Sequence, residues 1–266
     1  MSQNPLRPAG TLWPPILLGS QFVFNIGFYA VVPFLAIFLR DDMMLSGGLI
    51  GLILGLRTFS QQGMFIVGGA LSDRFGAKIV ILCGCLLRIA GYLMLAFSHT
   101  LWPVILGACL TGIGGAFFSP SIEALLAKAG TQSEAQGKRS RAEWFALFAV
   151  CGELGAVLGP AAGALLTGFG FRQIALAGAG IFVIALITLF FSLPSAPPSA
   201  QTLKIVPWWT TFRQPRFVAF IIAYSSWLLS YNQLYLALPV EIQRAGGSEK
   251  DLGPLFILAS LLIILC

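Results

Sequence analysis

Eight long apolar runs, separated by shorter polar stretches, dominate the pattern of residues along the chain. A helix needs about 20 consecutive apolar residues to cross ~30 Å of hydrocarbon, and most of these runs reach that length. The pattern therefore predicts an all-α integral membrane protein. The predicted spans are Leu12–Leu39, Gly47–Leu71, Ile79–Phe97, Leu101–Ile122, Ala142–Leu166, Arg172–Leu193, Arg216–Pro239 and Leu252–Cys266.

The last run is shorter than the others and reaches the final residue, Cys266, without a polar flank. A helix that stops inside hydrocarbon leaves backbone carbonyls unpaired, at a cost of several kcal/mol each. We therefore expect the chain to be a fragment of a longer membrane protein, truncated after about eight transmembrane helices.

Composition supports a membrane location, because 57% of the residues are hydrophobic and only 10% are charged. Soluble domains carry about 25% charged residues. Lys and Arg fall mainly in the loops on one side of the predicted spans, which places the amino terminus in the cytoplasm by the positive-inside rule. The net charge of +6 then reflects orientation in the bilayer and requires no nucleic-acid partner. The predicted inner loops hold Arg7, Arg74, Lys78, Lys128, Lys138, Arg139, Arg141, Lys204, Arg213 and Arg216, and the outer loops hold Arg40, Arg172, Arg244 and Lys250.

A proline-rich stretch, Ser192 to Pro215, interrupts the series of spans after the sixth. Its composition is typical of a linker lying partly on the membrane surface. We predict a six-helix lobe over 1–193, a cytoplasmic linker over 194–215, and the start of a second lobe over 216–266, with helix seven and part of helix eight. Two such lobes are typical of secondary transporters.

The loop GGALSDRFGAKIV, residues 68 to 80, places three charges between two apolar runs. Arg74 and Lys78 suit the anionic inner membrane surface, and Gly76 suits a tight turn between helices. Asp73 suits the positive end of a helix, either that of the third span or one from another part of the protein. Two glycines, Gly68 and Gly69, would let another backbone approach closely.

This loop resembles the signature loop of the major facilitator superfamily, which lies between the second and third helices of that fold. The matching pattern is G-x-L-S-D-R-F-G-x-K, from Gly69 to Lys78, with Ala77 where the family usually has a basic residue. The runs LGLRTFSQQG and LLRIAGY add a resemblance to the twelve-span drug:proton antiporters of bacterial multidrug resistance. The resemblance implies a truncated major facilitator fold whose loop switches conformation, with Asp73 meeting a helix end of the second lobe. The switch residues it implies are Gly69, Asp73, Arg74, Gly76 and Lys78.

Small residues follow one face of the fifth span, GELGAVLGPAAGALL. At 100° per residue Gly152, Gly155, Ala156, Gly159 and Gly163 form a smooth strip for close helix contact, and Pro160 removes a backbone donor. Gly155, Gly159, Pro160 and Gly163 resemble the antiporter motif of the same family, although Ala146 replaces its earlier glycine. The resemblance favours export by exchange, whereas the strip by itself is also explained by helix packing.

Three charged residues fall near the middle of predicted spans: Arg57, Arg88 and Glu153. Each costs at least about 2.5 kcal/mol to insert and is rarely left unpaired. We hypothesise that Glu153 is a proton-coupling carboxylate, with Arg57 as its partner or as a substrate anchor. A fixed Arg–Glu bridge that holds the bundle together is the alternative.

Two features do not fit the proton-coupling hypothesis. Many drug exporters of the family carry an acid in the first span, where this chain offers only Ser20, Gln21 and Asn25. They also carry an arginine in the fourth span, where Gly107–Pro120 has no charge. Either the coupling site lies elsewhere or the protein couples to something other than protons.

An aromatic stripe runs along the seventh span and predicts one wall of a substrate cavity for flat or cationic ligands. Packing or lipid contact is the alternative for such a stripe. In the first two spans, polar pairs at i, i+4 spacing are further cavity candidates. The stripe begins at Phe220, and the predicted cavity residues are Asn25, Tyr29, Gln61, Tyr224, Trp227, Tyr231 and Tyr235.

The chain contains no glycine-rich phosphate cradle, so an ion or solute gradient is the expected energy source and no enzymatic activity, cofactor or metal is expected. The leading interpretation is a secondary transporter of the bacterial inner membrane, monomeric when full length, which exports small amphiphilic drugs by proton antiport with alternating access. Proton-coupled uptake or exchange of a metabolite is the first alternative, and a membrane protein fragment that does not transport is the second. The expected partners are a small-molecule substrate, protons and the lipid bilayer.

Overall fold

The computed structural model describes residues 13–193, 213–226, 229–230, 245–246 and 258. The chain divides into two compact units, Met1–Ser199 and Ala200–Cys266. In the described part of the first unit, six helical stretches are long and apolar enough to span a membrane. In the second, residues 215–226 are helical. The predicted eighth span and most of the linker lie outside the described residues.

Within residues 13–193 the first unit has seven α-helices, and they follow the order of the predicted spans. Their bounds are α1 Trp13–Asp41, α2 Gly47–Gln62, α3 Phe65–Phe75, α4 Ala77–Phe97, α5 Leu101–Ala135, α6 Arg141–Leu165 and α7 Phe171–Ser192. A short 3₁₀ helix, Thr167–Phe169, connects α6 to α7.

The predicted second span is not one continuous helix, because it is divided into α2 and α3 at Gly63 and Met64. Met64 has φ −92° and ψ 0°, outside helical values. The break follows the polar sequence Ser-Gln-Gln-Gly, where glycine weakens a helix interior. The apolar pattern continues on both sides, so hydropathy alone predicted a single span.

The predicted loop after the fourth span is mostly helical, which corrects the sequence analysis. Helix α5 continues past Ile122 to Ala135 and has 35 residues. At 1.5 Å per residue it is about 50 Å long, more than the ~30 Å of hydrocarbon. Its last turns contain glutamine and glutamate, which favour helix without being apolar, together with alanine, the strongest helix former.

A capping box starts α6 after the short remaining loop. The backbone N–H of Glu143 donates to Ser140 Oγ at 3.2 Å, and the Ser140 N–H donates to Glu143 Oε2 at 3.1 Å. These two bonds satisfy donors that have no partner within the helix.

Pairwise helix contacts organise the unit. Helix α4 packs against α5 and α7, α1 packs against α6 and α7, and α2 and α3 pack against α5. Large side chains from different helices meet in the centre, where Tyr92, Phe118 and Phe182 are almost fully buried. In a bilayer such contacts depend on van der Waals packing, because lipid tails are as apolar as the side chains.

Glycines bring the backbones of α4 and α5 close together. A Cβ atom at Gly84 would lie 2.7 Å from the carbonyl oxygen of Gly114, and one at Gly91 would lie 2.7 Å from that of Gly107. Real Cβ atoms do not approach backbone atoms so closely, so a side chain at either position would push the helices apart. The α4–α5 contact therefore depends on small residues, as is common in membrane bundles.

We predict that Gly91→Ala lowers the free energy of unfolding by about 1–3 kcal/mol, because its methyl group would meet backbone that cannot move away easily. Gly180→Ala is the matched control, since nothing lies within 4 Å of a Cβ at that position in α7. Thermal unfolding of the two variants in the same detergent measures the difference. Equal unfolding temperatures would contradict the close contact.

Candidate functional site: signature loop, glycine strip and buried arginines

The loop between α3 and α4 is shorter than the sequence predicted. Helix α3 includes Asp73 and Arg74, and α4 includes Lys78, so Gly76 alone separates the two helices. Its φ of 90° lies in the region that favours glycine, as predicted, although its ψ of 140° is not that of the left-handed helix. The turn thus places three charged side chains within one turn of a helix junction.

The two glycines before this junction differ in their surroundings. A Cβ at Gly68 would collide with the backbone of Ala116 in α5, whereas nothing lies within 4 Å of a Cβ at Gly69. Close approach therefore explains Gly68 but not Gly69. The geometry assigns no contact to Gly69 within the described residues.

Lys78 ties the loop to the end of α7. Its Nζ donates to the carbonyl oxygen of Leu193 at 2.7 Å, and the same ammonium lies 5.3 Å from the centre of the Phe190 ring. A lysine suits this position, because the last carbonyls of a helix have no partners and carry partial negative charge. Asp73 and Arg74 are exposed, and Arg74 lies over the ring of Phe75.

The glycine strip of α6 packs against α1. Its four glycines, Gly152, Gly155, Gly159 and Gly163, are all buried, and Pro160 lies inside the same helix. A Cβ at Gly155 would lie 2.7 Å from the carbonyl oxygen of Phe22, and one at Gly163 would collide with the carbonyl of Ala30. The predicted smooth face is thus the surface on which α1 rests.

Two predicted cavity residues, Asn25 and Tyr29, belong to this contact. Their Cβ atoms lie opposite Gly155 and Gly159, at 2.6 Å and 2.7 Å from an added Cβ. The Asn25 side-chain amide donates to the backbone carbonyl of Gln21 at 2.9 Å. Both residues are half-buried, and their Cβ atoms pack against α6.

Arg57 is buried, with 6% of its surface exposed. Its Nη2 donates to Oε1 of Gln61 at 3.0 Å, and its guanidinium lies 4.5 Å from the centre of the Phe28 ring. Its Nε has no hydrogen-bond partner. The predicted i, i+4 pair of Arg57 and Gln61 therefore exists as a hydrogen bond.

Arg88 on α4 is even more deeply buried, at 4% exposure. Three phenylalanine rings surround its guanidinium, with centres 5.7 Å, 5.2 Å and 5.0 Å away: Phe24, Phe28 and Phe182. Its Nε also lacks a partner. Arg57 and Arg88 are near enough to interact electrostatically, and the Phe28 ring lies against both.

Glu153 is half-buried on α6, one residue after Gly152. The salt bridges found within the described residues join Arg40 with Asp41 and Arg139 with Glu143. The predicted Arg57–Glu153 bridge is not among these salt bridges, and the described hydrogen bond of Arg57 goes to Gln61. The two residues lie on helices with different main neighbours, since α2 packs on α5 and α6 packs on α1.

The predicted aromatic stripe is described only at its start. Phe220 and Tyr224 are exposed, and their rings stack with centres 6.0 Å apart. Trp227, Tyr231 and Tyr235 lie outside the residues whose side chains the structure describes. The stripe as a cavity wall remains a prediction.

The sequence analysis did not predict which residues surround Arg57 and Arg88. Phe24 and Phe28 on α1 and Phe182 on α7 come from distant parts of the chain. Gly114 and Gly115 on α5 make room for Arg88, because a Cβ at Gly114 would lie 2.6 Å from the Arg88 Cγ. The adjacent glycines in the apolar fourth span were the available signal.

We predict that Lys78→Gln speeds amide hydrogen exchange in the last turn of α7 about tenfold, because the Leu193 carbonyl loses a charged donor worth about 1.5 kcal/mol. The matched control is Lys128→Gln, which changes an exposed lysine on α5. Exchange read by mass spectrometry, peptide by peptide, makes the comparison. Unchanged rates in the Lys78 variant would show that this contact does not hold the helix end.

Comparison with known proteins identifies the fold. A family model described as Major Facilitator Superfamily matches residues 17–266. Solved structures of a peptide transporter POT in complex with sulfate and of a POT family transporter in complex with 5-aminolevulinic acid superpose with TM-scores of 0.61 and 0.62, at 18% and 16% identity. They cover 84% and 85% of this chain, and 46% and 47% of theirs. At such identities the likeness shows the fold alone.

Curated relatives share more of the sequence. An uncharacterized MFS-type transporter of Mycobacterium tuberculosis is 36% identical over 85% of this chain and 53% of its own length. The multidrug resistance protein MdtH of Shigella dysenteriae is 32% identical, over 88% of this chain and 57% of its own length. The chain thus spans little more than half the length of these relatives. The all-helical architecture and the resemblance read from the sequence are confirmed, and the chain belongs to the Major Facilitator Superfamily.

Proposed function

We propose that the protein is a secondary active transporter of the bacterial inner membrane, which exports small amphiphilic compounds in exchange for protons. Two lobes would move in alternation about a central site, as in other transporters built from repeated helix bundles. Relatives named as multidrug resistance proteins support the direction and the class of compound. Membership of the superfamily supports transport driven by a gradient.

The observation that carries this proposal is the arrangement of α6. Its buried glycines place the helix directly against α1, and Glu153 lies on the same helix beside that contact. A smooth helix contact can slide or tilt without side chains interlocking, and a carboxylate next to it can change charge during such a movement. Proton exchange at Glu153 is therefore coupled, in this proposal, to the α1–α6 contact.

The loop at the α3–α4 junction has a second role in the proposal. Lys78 anchors the junction to the end of α7, while Asp73 is exposed at the end of α3. An exposed carboxylate at a rigid junction can bind the positive end of another helix. We assign to it the switch between conformations, through a helix end of the other lobe.

We predict that Glu153→Gln abolishes drug-driven proton movement in the full-length protein, because glutamine cannot release a proton. Proton movement is measured with a pH-sensitive dye in inverted vesicles after addition of an exported cationic dye. The control is Asp42→Asn, which removes an exposed carboxylate just beyond α1.

Accumulation of the same dye in energised cells separates export from uptake. The proposal expects more dye in cells that express the Glu153 variant than in cells that express the unaltered protein. Coupling that survives in the Glu153 variant would remove this residue from the mechanism. Lower accumulation in cells lacking the protein would contradict export altogether.

A further inference from the structure

Two arginine side chains lie inside the bundle without a carboxylate partner among the described residues. Arg57 and Arg88 are 6% and 4% exposed, and neither takes part in the salt bridges found there. Arginine keeps its proton in nearly every protein environment, so both side chains carry charge. Two positive charges at membrane depth are expensive unless an anion or several acceptors compensate for them.

The acceptors present compensate only in part. Arg57 donates one hydrogen bond, to Gln61, and the Tyr92 hydroxyl is near enough to Arg88 to interact with it. The Nε atoms of both arginines lack partners although they are buried. The phenylalanine rings contribute cation–π attraction, which is worth about 2 kcal/mol in a desolvated site. Ring faces accept no conventional hydrogen bond from Nε, so the site retains unused donors.

The two guanidinium groups lie against the same aromatic ring. Phe28 lies against both guanidinium groups, at 4.5 Å and 5.2 Å from its ring centre. On the opposite helix α5, a Cβ at Gly115 would collide with Nη2 of Arg88 and lie 3.2 Å from Cδ of Gln61. Arg88 and Gln61 therefore meet beside Gly115, whose lack of a side chain leaves room for the Arg88 guanidinium.

We propose that Arg57, Arg88 and Gln61 form a binding site for the oxyanion of an amphiphilic monoanion, with the aromatic rings against its apolar part. Guanidinium groups bind carboxylates and phosphates through paired N–H donors. Gln61 also has an amide N–H₂ group that can donate to the same anion. The anion supplies a negative charge beside Arg57 and Arg88, which take part in no salt bridge among the described residues.

This inference deepens the proposed function, because the bound anion would be a transported compound. Only that step, transport of the anion, rests on the proposed function. Binding itself is independent of proton exchange and of the role of Glu153. The ligand differs from the cationic compounds expected from the aromatic stripe of the seventh span. A dissolved amphiphile and an anionic lipid head group share the required chemistry.

The test compares 2-naphthoate with its neutral counterpart 2-naphthamide, by calorimetry, on the full chain in phosphatidylcholine nanodiscs. We expect naphthoate to bind at least about tenfold more tightly, since a charged hydrogen bond contributes about 1.5–3 kcal/mol. Equal affinities would overturn the proposal without any substitution in the protein. Nanodiscs that contain phosphatidylglycerol distinguish the sources: weaker naphthoate binding there supports a lipid head group, and unchanged binding supports a dissolved ligand.

Variants locate the site. Arg57→Gln and Arg88→Gln are expected to remove the preference for naphthoate. Gly115→Ala is expected to weaken it, because the added methyl group would displace the Arg88 guanidinium. Arg172→Gln is the matched control, because Arg172 is an exposed arginine whose guanidinium lies 4.6 Å from the Phe97 ring centre. Loss of the preference only in the Arg172 variant would place the anion elsewhere and overturn the assignment.

Discussion

Burial of two guanidinium groups within a helix bundle is the constraint around which the first unit is arranged. The side chains of Arg57 and Arg88 need space between the helices, groups that attract their positive charge, and close helix packing that excludes lipid. Different helices meet these three requirements. Gly114 and Gly115 supply the room on α5. Phenylalanine rings of α1 and α7 supply the electron density, and Gln61 supplies an acceptor. The two arginines thus lie where five helices meet, namely α1, α2, α4, α5 and α7.

Close backbone contact makes this arrangement possible. Without a hydrophobic force between helices in lipid, the bundle depends on packing, and glycines on α4, α5 and α6 permit that packing. The two helix contacts that depend on glycine, α4–α5 and α1–α6, lie beside different charged residues. The α4–α5 contact holds Arg88 in place, whereas the α1–α6 contact lies beside Glu153. The first unit therefore combines a charged centre, formed by Arg57, Arg88 and Gln61, with the smooth glycine contact between α1 and α6.

Much of the fold could be predicted because hydropathy reports directly on which segments cross a bilayer. The order of spans in residues 13–193 and the glycine face of α6 followed from local pattern. The break at Met64 could not be predicted, since apolar residues continue on both sides. The extension of α5 to Ala135 could not be predicted either, because the apolar pattern stops at the membrane surface while the helix continues beyond it. The surroundings of Arg57 could not be predicted, because depth in the membrane does not determine which helices are neighbours.

The central claim is that the charged centre binds an anion. X-ray diffraction at the bromine edge, from crystals of the chain grown with 6-bromo-2-naphthoate, tests it most directly. The account predicts an anomalous bromine peak near Phe28, with the carboxylate within hydrogen-bond distance of Arg57 and Arg88. A peak only at the protein surface, with the centre unchanged, would contradict the account.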